Sequence, residues 1–557
     1  MKVSILGLRV SEAIVKVLED VGVTYVFGVP GSSTVPIYDA LYSSKIKHIL
    51  TRHEQSASYM ADAYAKVTGR MGVCDASIGP GGTNLTTGVA TAWTDGSPVL
   101  ALTGQVSLSK IGKGAFQELD IVSMFKPIVK STSRLVDPNS VFKLMSRLIS
   151  LAVSNRPGPV HIEVPYDVQT SVVDSKIKNG PLLERKSVEH NPERVMEVLS
   201  YLYNAKRPII IAGGGCHYSR EGASREIISL AEYLNIPVVS TFNGRGTIPD
   251  DHPLSIGRMG VRSKDYIDKV LGETDVILAV GCRFAELSTR HWTAIKESSS
   301  TIIRVDIDAT QIGRIYPHEV GIVGYAKEVL QSLLEGAKTT DYHGSWISWV
   351  QGIQEAKREW WGRHKPIMTA KHIPLKPQSV CYAIRKSFER DTIFTLDAGN
   401  HKMWASTFLD IYEPRTWIQS GGFGHMGYAL PAAIACKLAK PKRDVVAICG
   451  DGGFLMTMEE MATVNREGIP IILCIFDDSA LGLIKHQQQL TYDGRFISVD
   501  LTNPDFVKLA EAFDWHGERV ERPNQIAEAL LNAQKRARTG TSSLIDFAID
   551  ETELLPP

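Results

Sequence analysis

The sequence predicts an α/β fold, on three observations. Short β-branched apolar runs alternate with helical stretches along the whole chain, glycine-rich turns follow several of those runs, and the alternation restarts after each of two polar segments. Such a pattern predicts three consecutive domains, each with a parallel sheet flanked by helices. The length of 557 residues fits, since domains average ~150 residues. The expected boundaries are 1–175, 190–338 and 370–557.

In the first domain the strand-like runs are 25–29, 99–103 and 159–164. Residues 52–69 read as a helix, because Ala57, Met60, Ala61, Tyr64 and Ala65 recur at helical spacing and Gly69 is a natural stop. A polar segment, 176–192, reads as a linker. The second domain opens with a strand at 208–212 followed by Gly213-Gly214-Gly215, and continues through strands at 236–240, 276–280 and 302–307. A charged, tryptophan-rich span at 346–364 precedes the third domain. Its strands fall at 392–396, 445–449, 471–476 and 543–549.

Composition excludes several classes. The chain carries 61 basic and 61 acidic side chains, so it has no net charge for a long nucleic-acid track. Its longest apolar stretch, 469–476, is far short of the ~18 residues of a membrane span. The apolar start at 5–8 is too short for a secretion signal, which implies a cytoplasmic protein. None of the seven cysteines shares a C-x-x-C spacing, and several sit in apolar runs; they read as buried, reduced thiols.

The chemistry concentrates in the third domain. Gly450-Asp451-Gly452-Gly453 directly follows one strand, and Asp477 and Asp478 follow the next. In an open parallel sheet both sites lie beyond carboxyl ends of strands, where ligands bind. Glycines let backbone approach a phosphate, and a helix starting near Thr457 is expected to aim its N-terminus there. Two carboxylates with phosphate oxygens, a carbonyl and water make the octahedral oxygen shell that Mg²⁺ prefers.

This pattern resembles the thiamine diphosphate motif, G-D-G followed 25–30 residues later by Asn or Asp. The likeness spans essentially the whole chain, in the order pyrimidine-binding, middle and diphosphate-binding domain. It is nearest to the acetolactate (acetohydroxyacid) synthase catalytic subunits. The stretches that carry it are Gly28-Val29-Pro30-Gly31, Arg52-His53-Glu54-Gln55, Gly79-Pro80-Gly81-Gly82-Thr83-Asn84, Ala115-Phe116-Gln117-Glu118, His401-Lys402-Met403-Trp404 and Ser420-Gly421-Gly422-Phe423-Gly424.

The resemblance implies roles. Glu54 would hydrogen-bond N1′ of the cofactor's aminopyrimidine, a task suited to a carboxyl in apolar surroundings, and Gln117 would line the reaction centre. Pro30 and Gly31 would bind the cofactor, and Gly424 and Met426 would contact its aminopyrimidine. Gly399, Asn400, His401, Gly450, Gly452 and Gly453 would hold its diphosphate, with Asn400 standing where glutamine is expected. Asp451, Asp478 and the carbonyl of Ala480 would hold Mg²⁺. For the middle domain, Gly213-Gly214-Gly215, Arg283 and Asp306 point first to FAD; ADP or coenzyme A, or an empty domain, stay open. Glu54 and Asp451 would serve one site from different chains, giving a homodimer or homotetramer, and a separate regulatory subunit would fit a chain without an appended regulatory domain.

The expected activity is decarboxylation of pyruvate and transfer of the two-carbon unit to a second small 2-keto acid. Four departures from the resemblance keep alternatives open. Gln487 replaces a tryptophan tied to 2-ketobutyrate preference, and the chain stops at Pro557 where the synthases continue into a tail. His425 occupies a usually small position, either as a proton donor or as a packed residue. Arg283-Phe284-Ala285-Glu286-Leu287 replaces an Arg-Phe-Asp-Asp-Arg flavin stretch, and nearby Gly260-Val261-Arg262-Ser263 replaces Gly-Met-His-Gly. The alternatives are a 2-hydroxyacyl-CoA lyase, a 2-keto acid decarboxylase, a pyruvate oxidase or a catalytically silent relative.

Overall fold

The computed structural model describes residues 7–174, 190–217, 222–340, 342, 344 and 346–555. It contains three six-stranded parallel sheets with helices between successive strands. Packing divides the described residues into two compact units: residues 7–174, 422–439 and 457–468 form the first, and the other described residues form the second.

The first unit holds β1 (Tyr25–Gly28), β2 (Lys47–Leu50), β3 (Gly72–Ala76), β4 (Val99–Gln105), β5 (Thr132–Arg134) and β6 (Val160–Pro165), in the order β2-β1-β3-β4-β6-β5. β3, β4 and β6 are buried throughout, as parallel strands covered on both faces must be. Val73, Leu100 and Ile162 pack one sheet face against Ile14 and Leu18 of the Val10–Asp20 helix. The expected helix at 52–69 runs Glu54–Thr68, and Gly69 ends it at φ 68°, a left-handed conformation that favours glycine.

The second unit holds two sheets. The middle one consists of β7 (Pro208–Ala212), β8 (Val238–Ser240), β9 (Ser255–Arg258), β10 (Val276–Val280), β11 (Thr301–Asp306) and β12 (Val320–Val323). Its order, β12-β11-β10-β7-β8-β9, is the dinucleotide-binding order, with the reversal between β7 and β10. The other consists of β13 (Ile393–Leu396), β14 (Trp417–Gln419), β15 (Val445–Gly450), β16 (Ile472–Asp477), β17 (His516–Val520) and β18 (Ser543–Ala548), ordered β14-β13-β15-β16-β18-β17. The first and last sheets thus share one strand order, a repeat of architecture without a visible repeat of sequence.

Residues 176–189 of the expected linker lie outside the described residues, and Pro192 already opens the Pro192–Asn204 helix. The tryptophan-rich span is one helix, Ile347–Met368, with Trp346 just before it. Trp346 and Trp349 donate their indole N–H groups to the carbonyls of Ala205 and Pro208, which pins the helix beside β7. All seven cysteines are buried. Among the described residues no helix is long and apolar enough to cross a membrane.

Candidate active site

Beyond the carboxyl ends of β1, β2, β3 and β4 the first sheet gathers four of the predicted stretches. The order β2-β1-β3 reverses direction between β1 and β3, the place where such sheets bind ligands. Pro30 and Gly31 follow β1. A Cβ on Gly31 would collide with the Ser77 side chain, so glycine lets this turn close on the one after β3. Ser33 Oγ lies 2.9 Å from Ser77 Oγ and accepts from the Ile78 N–H at 3.0 Å, which locks the two turns together.

Glu54 is the first residue of its helix, behind His53, whose Nδ1 caps the Gln55 N–H. Its Oε2 accepts from Asn84 Nδ2 at 2.9 Å. Gly81 lies against it, since a Cβ there would sit 3.3 Å from Glu54 Oε1. The ion pair with Arg52 that the local sequence allows does not form among the described residues. Gln117 adopts φ 61° and packs on Gly79, where a Cβ would fall 2.6 Å from the Gln117 carbonyl oxygen. Glu54, Asn84, Gly81, Gly79 and Gln117 therefore form one contiguous group.

The glycine-rich turn bearing Gly424 and Met426 also belongs to the first unit. The Gly422 N–H donates to Asp95 Oδ1 at 2.9 Å, and the His425 ring stacks on Tyr59 with centroids 4.0 Å apart. His425 is thus a packed histidine, its Nδ1 2.9 Å from the Met426 carbonyl.

In the second unit, the reversal between β13 and β15 places Gly399, Asn400 and His401 beside Gly450, Asp451, Gly452 and Gly453. The His401 ring fills the space between Gly399 and Gly450: a Cβ on either would lie 2.9 and 3.2 Å from ring atoms. Burial, aided by the Lys402 charge, lowers the His401 pKa to about 3, so the ring is neutral. Asp478 follows β16, and Ala480 bridges to Asp500. Burial pushes the Asp451 carboxyl up to about 6 and Asp478 up to about 7, the latter helped by the Asp451 charge. A cation between the buried Asp451 and the half-buried Asp478 would offset the charge that desolvation makes costly. No cluster of three or more His, Cys, Asp or Glu side chains suited to a metal occurs among the described residues. A cation here would rest on this pair and a carbonyl.

The helix expected near Thr457 is present: a 3₁₀ turn, Met458–Glu460, runs directly into the short helix Met461–Glu467, both in the first unit. The element opening from Gly450 is a four-residue turn of helix, Asp451–Phe454.

In the middle sheet, Arg283 follows β10 and Asp306 ends β11, both at the carboxyl side of the strands. The glycine run has a packing cause: Gly213 and Gly215 press on the backbone of Gly281, where a Cβ on Gly215 would come within 2.7 Å of Gly281 Cα. Arg304 is fully buried, with Nε and Nη1 lacking partners and its guanidinium 4.6 Å from the Phe284 centroid.

Sequence profiles of the thiamine pyrophosphate enzymes match the chain three times: the N-terminal TPP binding domain at residues 8–124, the central domain at 195–333 and the C-terminal TPP binding domain at 397–547. The chain belongs to the thiamine pyrophosphate enzymes. Within that family it is 39% identical to the probable acetolactate synthase large subunit of Methanocaldococcus jannaschii, over 99% of this chain and 93% of that one. It is 37% identical to the acetolactate synthase large subunit of Corynebacterium glutamicum, over 97% and 87% of the two chains. The large subunit of Escherichia coli acetolactate synthase isozyme 3 is 33% identical, over 98% and 96%. The chain is an acetolactate synthase-like, thiamine pyrophosphate-dependent enzyme.

The geometry of this thiamine pyrophosphate enzyme adds residues that the sequence reading missed. Asn503 Nδ2 donates to Asp451 Oδ2 at 2.7 Å and to Asp477 Oδ1 at 2.9 Å. Arg519 then bridges Asp477 and Asp546. Glu460, buried and with its pKa raised for that reason, accepts from the Arg52 and His53 N–H groups and so fixes the turn that presents Glu54. Asn503 and Glu460 are separated from the groups they hold by 52 and 408 positions, and nothing local marks either one.

Proposed function

We propose that the chain is the catalytic large subunit of an acetolactate synthase, decarboxylating pyruvate and joining the two-carbon unit to a second 2-keto acid. With pyruvate as acceptor the product is acetolactate. The observation that carries this reading is similarity over nearly the full length to acetolactate synthase large subunits. The same similarity favours the synthase over the lyase, decarboxylase and oxidase alternatives.

Thiamine diphosphate, when bound, supplies a nucleophilic carbon and an electron sink. Glu54 holds and exchanges a proton at N1′ of its pyrimidine ring, in reach of Asn84. Pro30, Gly31, Gly424 and Met426 bound the ring, and Gln117 faces the reacting keto acid. The diphosphate fits Gly399, Asn400, His401, Gly450, Gly452 and Gly453, because helical turns open from Gly399 and from Gly450 and the N–H groups at such ends favour an anion. Mg²⁺ fits Asp451, Asp478 and the Ala480 carbonyl, since a cation offsets the charge that burial makes costly.

FAD is proposed for the crevice between β7 and β10, supported by the strand order and by Arg283 and Asp306 at its edge. Glu54 and Asp451 would serve one site from two chains of a homodimer or homotetramer. The name "large subunit" of the relatives supports a separate small regulatory subunit. A cytoplasmic location and the three domain boundaries at 1–175, 190–338 and 370–557 complete the reading.

The test is product analysis with purified protein, pyruvate, thiamine diphosphate and Mg²⁺, with and without FAD. Acetolactate, detected as acetoin after acid treatment, is expected. Acetaldehyde alone, or no product, overturns the synthase reading. Adding 2-ketobutyrate tests Gln487, which is expected to leave little preference for that acceptor.

A further inference from the structure

Gln117 holds a left-handed backbone conformation, φ 61°. That conformation is uncommon for a side chain of this size and persists only where the surroundings impose it. The residues that follow show how. The Glu118 carboxylate reaches back to the N–H groups of Gly112 and Ala115, the latter at 3.0 Å, and those bonds hold its pKa below the usual carboxylate range. The Leu119 carbonyl accepts from Gln105 Nε2 at 3.0 Å. Asp120 then caps the Ile121–Phe125 helix through the Ser123 N–H.

Gln105 anchors this arrangement. It is the last residue of β4 and is fully buried. Its Nε2 donates a second hydrogen bond, to Glu163 Oε2 at 2.9 Å, and its Oε1 accepts from the Val106 N–H at 2.9 Å. The nitrogen meets two acceptors and the oxygen meets a donor, so the amide has a single orientation. Glu163 lies on β6 and pairs with Arg134, the last residue of β5. The hold on Leu119 is therefore fastened to β4, β6 and β5, which are neighbours in the sheet. None of these bonds uses the Gln117 side chain, whose amide stays available to a ligand.

We propose that Gln105 is a positioning residue for the reaction. By holding the Leu119 carbonyl it fixes the backbone at Gln117, and with it the direction in which Gln117 meets the keto acid. This rests on the synthase reading above and on the place given there to Gln117.

The test is steady-state acetolactate formation with varied pyruvate, run on a double-mutant cycle. Gln105→Leu keeps the volume and removes both donated bonds. A reacting group displaced by about 1 Å costs up to ~10²-fold, so kcat/KM for pyruvate is expected to fall by about 10–100-fold. Apparent affinity for thiamine diphosphate should stay at the wild-type level, because none of the Gln105 hydrogen bonds goes to a residue assigned to the cofactor. In a Gln117→Ala background the same substitution is expected to cost nothing further, since effects that pass through one another do not add. A merely structural role would lower activity equally in both backgrounds. Circular dichroism checks folding, and should Gln105→Leu not fold, Gln105→Asn, too short to reach both acceptors, replaces it with the same expectation. Wild-type kcat/KM in a folded Leu or Asn variant, or an equal further loss in the Gln117→Ala background, overturns the proposal. Wild-type kinetics in Gln117→Ala alone overturns the role of Gln117 and the proposal with it. Absence of acetolactate from the wild-type protein overturns the synthase reading itself, before any variant is compared.

Discussion

Tyr428 donates a 2.6 Å hydrogen bond to the buried carboxylate of Asp62. The bond joins the end of the glycine-rich turn carrying Gly424 and Met426 to the middle of the helix that begins at Glu54. Lys66 completes the arrangement, 2.8 Å from Asp62 and 2.7 Å from Asp95, and Asp95 accepts from the Gly422 N–H at the start of the same turn. Both ends of the turn are thereby fastened to one buried charge cluster.

Removing the hydroxyl should loosen one end. Tyr428→Phe leaves the ring packing intact but strips a hydrogen bond to a charged group, a loss of about 2 kcal/mol. The apparent Tm is expected to fall by a few degrees, and apparent affinity for thiamine diphosphate should weaken with it. Unchanged melting in a scanning fluorimetry comparison would show that the bond contributes nothing.

Glu54→Gln tests the proposed proton exchange. Glutamine keeps the shape and can still contact Asn84, so the protein should fold and bind cofactor. It cannot exchange a proton, and general acid–base groups contribute about 10²–10⁴-fold. Acetolactate formation is expected to fall by at least ~10²-fold, read by product analysis against cofactor binding measured separately. Turnover equal to wild type would remove Glu54 from the mechanism.

How far the sequence revealed these parts depended on how local their signal was. β7 and β10 were readable to the residue because Pro208–Ala212 and Val276–Val280 are continuous apolar runs between polar flanks. β2, β3, β5, β9, β12, β14 and β17 were missed: Lys47–Leu50, Thr132–Arg134 and His516–Val520 lie at sheet edges, are only partly buried and carry mixed polar residues, while the buried Gly72–Ala76 is a short run of Gly, Val, Cys, Asp and Ala without an apolar stretch to mark it. The glycine turn at 450–453 and the Asp477-Asp478 pair were legible because each comes at the end of an apolar strand. Asn503 was not, since its amide reaches Asp451 only through the fold, and Glu460 reaches Arg52 and His53 in the same way. The glycine run at 213–215, which pointed first to FAD, also has a packing reason, since Gly213 and Gly215 press on the Gly281 backbone.

Metal removal should act through pH. Asp451 and Asp478 have folded pKa values raised by burial to about 6 and about 7, from 3.8. A carboxyl raised on folding contributes stability that is present at low pH and lost as pH rises through its folded value. Metal-free protein is therefore expected to lose stability between about pH 4 and pH 7 as both groups ionise. Mg²⁺ offsets that charge and competes with the protons. The Tm gain on adding Mg²⁺ with thiamine diphosphate should be larger at pH 8 than at pH 5.5, and equal gains at both would contradict the assignment of the two carboxylates.

Asn503 offers a test of the same site from outside it. Its single NH₂ group spans Asp451 Oδ2 and Asp477 Oδ1, which holds the Asp451 carboxylate in one rotation and leaves the other oxygen for the proposed cation. Asp477 is itself neutralised by Arg519 at 2.9 Å, so Asn503 is the only neutral link between that ion pair and the proposed ligand among these contacts. Asn503→Ala would free Asp451 to rotate and set two carboxylates facing each other without a shared donor. An apparent Mg²⁺ affinity about 10–100-fold weaker is expected, with turnover restored by excess Mg²⁺ because no reacting group has been touched. Failure of excess Mg²⁺ to restore turnover would mean that Asn503 acts on the reaction by another route; unaltered Mg²⁺ affinity would mean that Asp451 needs no such restraint.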